Sequence, residues 1–420
     1  MTVTPSSQRA SRPHPLVTLL RATVVLALIA AVVAGAAVLF APTPSVAASR
    51  LEPALPALPA AAVEWPEEAR AAGYGVVGLD GQADAWEAWG SEGAHPMASV
   101  TKLATVLIVL AEHPIEGDAR GALITLDGDD VTALGYAISQ NAPVAPVFDG
   151  MQVYQRDLIE WALVDSAGNA AWSLANWAFG SMEGFDAASA AWTAEHGFDQ
   201  TVLRDPVGLD AGSVSSAADL TRIALQAVEH PVVLSTIQLE SVQIPGIGYA
   251  PNTNRILGQH DIDGGKTGTL RVWGRNLFVT AVREIDGVER RIVGVVMGTI
   301  AADETDAAMI GLIESVWPNF ATRTIVPAGT AVAEYTAPWG ETVRAVTDAD
   351  LDAHVFGDGA PSLESTARSV SAGTPVVDVG EAGLSTGGDP VTVRMTGSLA
   401  APDPWWRLTH PATAIGWYFE

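Results

Sequence analysis

A mixed α/β domain followed by a small all-β domain is the fold class this sequence predicts, and three observations carry it. Between about residues 67 and 323 strand-like runs alternate with helical ones, the pattern of one mixed core. From residue 324 to 420 only short β-rich runs remain, punctuated by Gly, Pro and Asp. Ahead of both lies an uncharged apolar run, residues 22–41, joined to them by a Pro- and Ala-rich stretch at 42–66.

Each element follows from local pattern. The apolar run is about as long as a bilayer-spanning helix. Arg9, Arg12 and Arg21 precede it and no acidic residue appears before Glu52, which orients residues 1–21 to the cytoplasm and the rest outside. A retained anchor is the expected outcome; the alternative is secretion after signal cleavage at the small-residue stretch Ser45-Val46-Ala47-Ala48. Pro42, Pro44, Pro53, Pro56, Pro59 and Pro66 predict an extended spacer lifting a domain off the membrane.

Within the α/β region, Val76–Leu79 and Ala83–Trp89 predict a hairpin closed at Asp80-Gly81. Ala98–Glu112 reads as a buried helix, and a second helix is predicted from Gln155 through Phe179, carrying Trp161, Trp172 and Trp177 as packing residues. Asn276–Arg283 and Arg291–Thr299 read as neighbouring strands around an Asp286-Gly287 turn. In the tail, Thr330–Tyr335, Thr342–Val346, Pro375–Val379 and Val391–Met395 read as strands.

Composition excludes several functions. A net charge of −26 argues against a nucleic-acid partner, which needs a dense field of Lys and Arg. The absence of cysteine removes disulfides, thiolate metal sites and thiol nucleophiles. Scattered histidines with no helical H-x-x-x-H pair point to no metal site, and no cofactor is implied.

The sharpest signal is that the chain has only two lysines, Lys102 and Lys266, while arginine fills the other twenty basic positions. A lysine desolvated in an apolar cleft can lose its proton and act as a base, whereas arginine cannot. Lys102 lies three residues after Ser99, which puts amine and hydroxyl on one helix face. Its neighbours Leu103, Ala104, Val106 and Leu107 disfavour the ammonium form. Lys266 opens Lys266-Thr267-Gly268-Thr269, where a strand edge would aim the amine at a cleft and Gly268 would allow close approach of a substrate. Arg271 and Arg275 follow as candidates for a carboxylate contact.

These two motifs resemble those of the penicillin-recognising serine enzymes, in particular the D-alanyl-D-alanine carboxypeptidases of peptidase family S11. Asp205-Pro206-Val207-Gly208-Leu209-Asp210, Ser216–Leu220, Asn252–Leu257 and Tyr335–Gly340 are also similar to segments of that family. The resemblance implies a β-lactamase-like transpeptidase fold, an antiparallel sheet with helices on both faces, plus a β-rich C-terminal domain. It also implies Ser99 as acylated nucleophile, Lys102 as its base, and an oxyanion hole from the N–H groups of Ser99 and Thr269. Lys266, Thr267, Gly268 and Thr269 would hold substrate. Implied partners are peptidoglycan stem peptides, and β-lactams as covalent inhibitors.

The family's third element, Ser-x-Asn, has its counterpart in Ser166-Ala167-Gly168-Asn169, where asparagine arrives one place late. Ser166 is expected to relay a proton with Lys266. Asn169 is expected to return to the site through a bulge at Gly168. Should it not, a slow or silent stem-peptide sensor becomes the competing function. A β-lactamase is the weaker rival, because Phe198–Val228 contains no glutamate for deacylation.

Overall fold

The structure, a computed structural model, describes residues 15–78, 85–359 and 361–419. It divides into two compact units: residues 57–323 with 353–361, and residues 1–56 with 324–352 and 362–420. The apolar run forms helix α1 (Pro15–Leu39), which begins and ends earlier than the predicted segment. A short strand β1 (Ala48–Arg50) follows.

The larger unit is organised by a five-stranded antiparallel sheet. Its strands are β2 (Ala71–Val77), β3 (Ala85–Gly90), β4 (Ile262–Leu270), β5 (Gly274–Ile285) and β6 (Val288–Thr299), in the order β4-β5-β6-β2-β3. The Lys266 motif therefore lies on an edge strand, whose outer backbone groups are not taken up by the sheet. The β5–β6 hairpin turns at Asp286 and Gly287, both at positive φ (52° and 77°), as the sequence indicates. The β2–β3 hairpin also forms, but its expected Asp80-Gly81 turn lies outside the described residues.

Side chains of β2 and β6 alternate between two cores, as period-two geometry requires. Val293, Val295 and Met297 join the core beneath the central helices, whereas Tyr74, Val76, Ile292 and Val296 join the one on the other face. The helices are α2 (Thr101–Glu112), α3 (Gly128–Ser139), α4 (Gln155–Leu163), α5 (Gly168–Phe179), α6 (Met182–Glu195), α7 (Ala217–Glu229), α8 (Pro231–Ile237) and α9 (Ala302–Val316). Leu220, Ile223 and Ala224 of α7 pack into the first core; Met309, Leu312 and Ile313 of α9 close the second. Every residue of α2 from Thr101 to Leu110 is buried, which is why it reads as apolar all round.

The single helix predicted from Gln155 to Phe179 is two. It breaks at residues 164–167, where Ser166 has φ 67°, a left-handed conformation that an α-helix cannot accommodate. Outside partners replace the missing helical hydrogen bonds: Thr253 N–H donates to Val164 O at 3.2 Å and Gly168 N–H to Pro143 O at 2.8 Å.

The smaller unit holds a six-stranded sheet. Besides β1 it contains β7 (Ala331–Thr336), β8 (Thr342–Thr347), β9 (Leu363–Ser365), β10 (Asp378–Leu384) and β11 (Val391–Met395), in the order β1-β7-β8-β11-β10-β9. The strand predicted at Pro375–Val379 is displaced to Asp378–Leu384. Two C-terminal helices, α10 (Pro404–Thr409) and α11 (Pro411–Gly416), complete the unit.

The expected spacer at 42–66 is a different object. Val46 is paired with Val370 through two backbone hydrogen bonds of 2.7 and 3.0 Å, and β1 pairs with β7 from Ala48↔Tyr335 to Arg50↔Ala333. Farther along, Ala62 N–H donates to Asn319 Oδ1 at 2.7 Å and Glu64 N–H to Ser315 Oγ at 3.0 Å. Proline spacing predicted stiffness, but backbone donors between the prolines found sheet and side-chain acceptors.

Leu312 is 1 % exposed at the centre of the α9 contact with the sheet. Leu312→Ala is expected to destabilise the fold by about 2–5 kcal/mol, read as a lowered midpoint in urea unfolding.

Candidate active site

The chain enters the site under tight constraint. Asn276 Nδ2 donates to Pro96 O at 2.8 Å, and Met97 N–H donates to Ser213 O at 3.0 Å. Ala98 takes a positive φ of 50°, and a short 3₁₀ turn, Ala98–Val100, runs directly into α2. Ser99 thus stands at the helix N-terminus, where the backbone dipoles favour developing negative charge.

One turn on, Lys102 is 1 % exposed, and its Nζ donates to Ser99 Oγ at 2.7 Å and to Val207 O at 3.0 Å. Burial pushes the amine down to about 7, opposed in part by the Asp205 carboxylate. At that value a large fraction of the group is a free base at neutral pH.

Lys266 is fully buried, and its Nζ donates to Ser166 Oγ at 2.9 Å and to Thr267 O at 2.9 Å. Its pKa lies well below the ordinary lysine value, chiefly through burial and then through the nearby Lys102 charge, with Asp165 opposing. The mutual electrostatic effect places the two scarce amines in one neighbourhood. The break between α4 and α5, with Ser166 in its left-handed conformation, is what points that hydroxyl at Lys266.

Gly268 explains how β4 reaches Ser99. A Cβ there would lie 2.8 Å from Met97 O and 3.1 Å from Ser99 N, so any side chain would push the strand away. Thr267 Oγ1 donates to Thr253 Oγ1 at 2.7 Å, and Thr269 is exposed. These two threonines line a hollow of about 190 Å³ with Thr253, Arg255 and Arg275. Arg255 is paired with Asp303 at 2.7 Å and Asp306 at 3.4 Å, while Arg275 has no ion pair among the described residues. Arg271 is exposed and does not line the hollow.

Asn169 does not join the others, in contrast to the expected bulge. It is 1 % exposed; its Oδ1 accepts from Ala145 N–H at 3.0 Å and its Nδ2 donates to Ala145 O at 2.8 Å. A side-chain amide with both ends bonded to the backbone of one residue has a structural task, and turning it into the cleft would orphan two buried backbone groups. Gly168 begins α5 without a bulge.

Sequence reasoning missed three contributors: the Val207 carbonyl, the Thr253 hydroxyl and the Asp205 carboxylate. Asp205 Oδ1 accepts from the N–H groups of Val207 and Gly208 at 2.6 Å each, and Oδ2 from Asp210 N–H at 2.7 Å. An Asp-Pro-x-Gly run is a turn signal that marks such a loop, but it does not reveal which carbonyl faces a lysine.

With this geometry in hand, the comparisons with known proteins are specific. The D-alanyl-D-alanine carboxypeptidase model of peptidase family S11 matches residues 90–301, just over half of the chain, and the chain belongs to that family. It is similar to the D-alanyl-D-alanine carboxypeptidase DacD of Salmonella typhimurium, 29% identical over 61% of this chain and 65% of the relative. It is similar also to a D-alanyl-D-alanine endopeptidase of Pseudomonas aeruginosa, 34% identical over 33% of this chain and 41% of the relative. The chain thus spans less than two thirds of the length of these relatives. Two solved structures share the fold: penicillin binding protein 5 from Haemophilus influenzae (TM-score 0.55, 20% identity, 81% of this chain and 100% of that one) and penicillin binding protein 6B from Escherichia coli (TM-score 0.55, 23% identity, 79% and 98%).

The buried amine carries a stability consequence. Its pKa in the fold lies below the unfolded value, so between about pH 7 and the unfolded value folding must strip a proton from Lys102, and below that range it must bury the ammonium. That cost grows as pH falls toward about 7 and is constant below it. Lys102→Met is therefore expected to raise the thermal midpoint at neutral pH, by about 2–4 °C for each kcal/mol relieved, while abolishing acylation. Calorimetry alongside a penicillin-labelling assay checks both halves.

Proposed function

We propose that this chain is an extracytoplasmic serine D-alanyl-D-alanine carboxypeptidase that removes the terminal D-alanine of peptidoglycan stem peptides. The observation that carries the reading is the 2.7 Å contact between Lys102 Nζ and Ser99 Oγ, made by an amine withdrawn from water.

Neutral Lys102 takes the proton of Ser99, and Oγ attacks the carbonyl carbon between the two D-alanines. The resulting oxyanion is held by the N–H groups of Ser99 and Thr269 on either side of the Gly268 approach. Collapse breaks the C–N bond. The leaving nitrogen takes a proton from Ser166, whose hydroxyl Lys266 holds at 2.9 Å; the proton that Lys102 took from Ser99 restores Ser166 and leaves both amines neutral, and D-alanine departs. Water then attacks the acyl-serine, giving its proton back through the same amines, and frees the shortened peptide. No cofactor enters the sequence. The substrate lies along the free edge of β4, and Arg275 and Thr269 receive its terminal carboxylate from the hollow beside that strand.

A second reading, a slow or silent stem-peptide sensor, has one observation in its favour: no side-chain amide occupies the motif's third position, Gly168. β-Lactams, which acylate the same nucleophile, separate the two. A fluorescent penicillin labels the enzyme and fails to label Ser99→Ala; labelling without D-alanine release from a pentapeptide supports the sensor.

We propose further that α1 is retained as the membrane anchor. The candidate cleavage stretch at Ser45–Ala48 is built into the smaller unit through Val46 and β1, and Val46 is buried. The end of α1 is clasped as well: Val38 and Ala41 pack with Ala414 and Trp417, Arg407 donates to Ala41 O at 2.6 Å, and Tyr418 OH to Ala37 O at 3.0 Å. The described residues of α1 before Gly35 are exposed and largely apolar, as a lipid-facing helix requires.

Two outcomes follow. Arg275→Gln is expected to lower kcat/KM for a free-acid pentapeptide by about 10–100-fold and to leave a C-terminal amide analogue unchanged, since a charge-assisted hydrogen bond is lost. Intact mass of protein extracted from membranes is expected to include residues 15–48; a mature N-terminus at or after Ala47 contradicts retention.

A further inference from the structure

Gly168 stands where the family motif carries asparagine, and the space it leaves is occupied. A Cβ at this position would lie 3.1 Å from Val207 Cγ1, with Ala137 and Ala142 methyl groups at 3.6 and 3.8 Å. Val207 is itself buried, and its carbonyl accepts from Lys102 Nζ at 3.0 Å. The same residue thus seats its side chain on α5 and presents its backbone to the base on α2.

The loop around it is held rigidly. Asp205 gathers the N–H groups of Val207, Gly208 and Asp210, and Thr105 Oγ1 of α2 donates to Pro206 O at 2.9 Å. Gly208 has φ 80°, and a Cβ there would collide with Ala98 O. What these contacts leave unspecified is how far Val207 lies from α5, and the seat over Gly168 supplies that.

We infer that Gly168 and Val207 form a matched seat and knob that positions the base: the absent Cβ lets Val207 settle against α5, and this places the Val207 carbonyl on the Lys102 amine. Val207 is a positioning residue, acting through Lys102, and Gly168 is required rather than merely tolerated. The group that acts electrostatically on Lys102 is Asp205, from this loop, and Lys102 in turn acts on Lys266, from β4. Neither belongs to α5, so a methyl at residue 168 alters the carbonyl contact without altering a charge.

The inference rests on the hydrolase reading for its purpose, but its test does not. With only two lysines in the chain, selective ¹³C-lysine labelling of the full-length protein in detergent gives two side-chain signals, assigned by Lys102→Met. In Gly168→Ala the Lys102 signal is expected to titrate at lower pH than in wild type, because the ammonium loses a carbonyl acceptor while its burial persists. Penicillin acylation is expected to fall by at least about tenfold. Gly168→Ala with Val207→Ala is expected to recover both toward wild type, since the second truncation makes room for the first. Val207→Ala alone, which introduces no clash, is expected to shift the titration in the same direction by less, and it keeps the test available should Gly168→Ala fail to fold. A Lys102 titration unchanged or raised in folded Gly168→Ala, or no recovery in the double variant, overturns the inference. A wild-type protein that penicillin does not label removes the hydrolase reading and leaves the titration result standing.

Discussion

Two amines held out of water, with no carboxylate among the described residues in hydrogen-bond contact with either, are the constraint on which this structure turns. Lys102 has two partners, Ser99 Oγ and Val207 O; Lys266 has two, Ser166 Oγ and Thr267 O. Each amine meets one carbonyl, which only accepts, and one hydroxyl, which can accept from it or donate to it, so a neutral amine is satisfied by the pair with its lone pair free to receive the hydroxyl proton. Burial favours the unprotonated form of both, and at Lys266 the nearby Lys102 charge adds to it. Such an arrangement works against folding at neutral pH, and α2 offsets it by burying Leu103, Ala104, Val106 and Leu107 around Lys102.

Four elements of the fold serve that constraint. The buried, largely apolar α2 takes Lys102 into the core and keeps Ser99 at its entrance. The edge strand β4 brings Lys266 from the opposite side, and glycine at 268 lets it come close. The left-handed break at Ser166 turns a hydroxyl toward Lys266 where a continuous helix would have pointed it along α4 or α5. The loop at 205–210 then fixes the remaining acceptor. Each is a local backbone feature, and together they set two hydroxyl–amine pairs, Ser99 with Lys102 and Ser166 with Lys266.

Much of this was legible in the sequence, for physical reasons that differ by element. The lysine scarcity identified both amines because lysine and arginine differ in acidity, and serine at i−3 placed the nucleophile on the same helix face. The β5–β6 hairpin was legible because Asp-Gly supplies the two positive φ angles its turn demands. The break at Ser166 was not: the apolar period continues across it, and a serine gives no sign of a positive φ. The direction of Asn169 was equally hidden, since its partner is the backbone of Ala145, 24 residues away, and backbone acceptors leave no sequence signature. The spacer misled because proline content reports stiffness, whereas the pairing of Val46 with Val370 depends on a strand far along the chain.

The central claim is that Lys102 acts as a base because it is neutral near physiological pH. The most direct measurement is the second-order rate of penicillin acylation of the wild-type protein across pH 5 to 9, with the adduct located on Ser99 by mass spectrometry. The account predicts a rate that rises through an apparent pKa near the value of about 7 set by burial of the amine, then levels off. A rate still climbing steeply at pH 9, as an ordinary lysine would give, contradicts it, and so does an adduct on any residue other than Ser99.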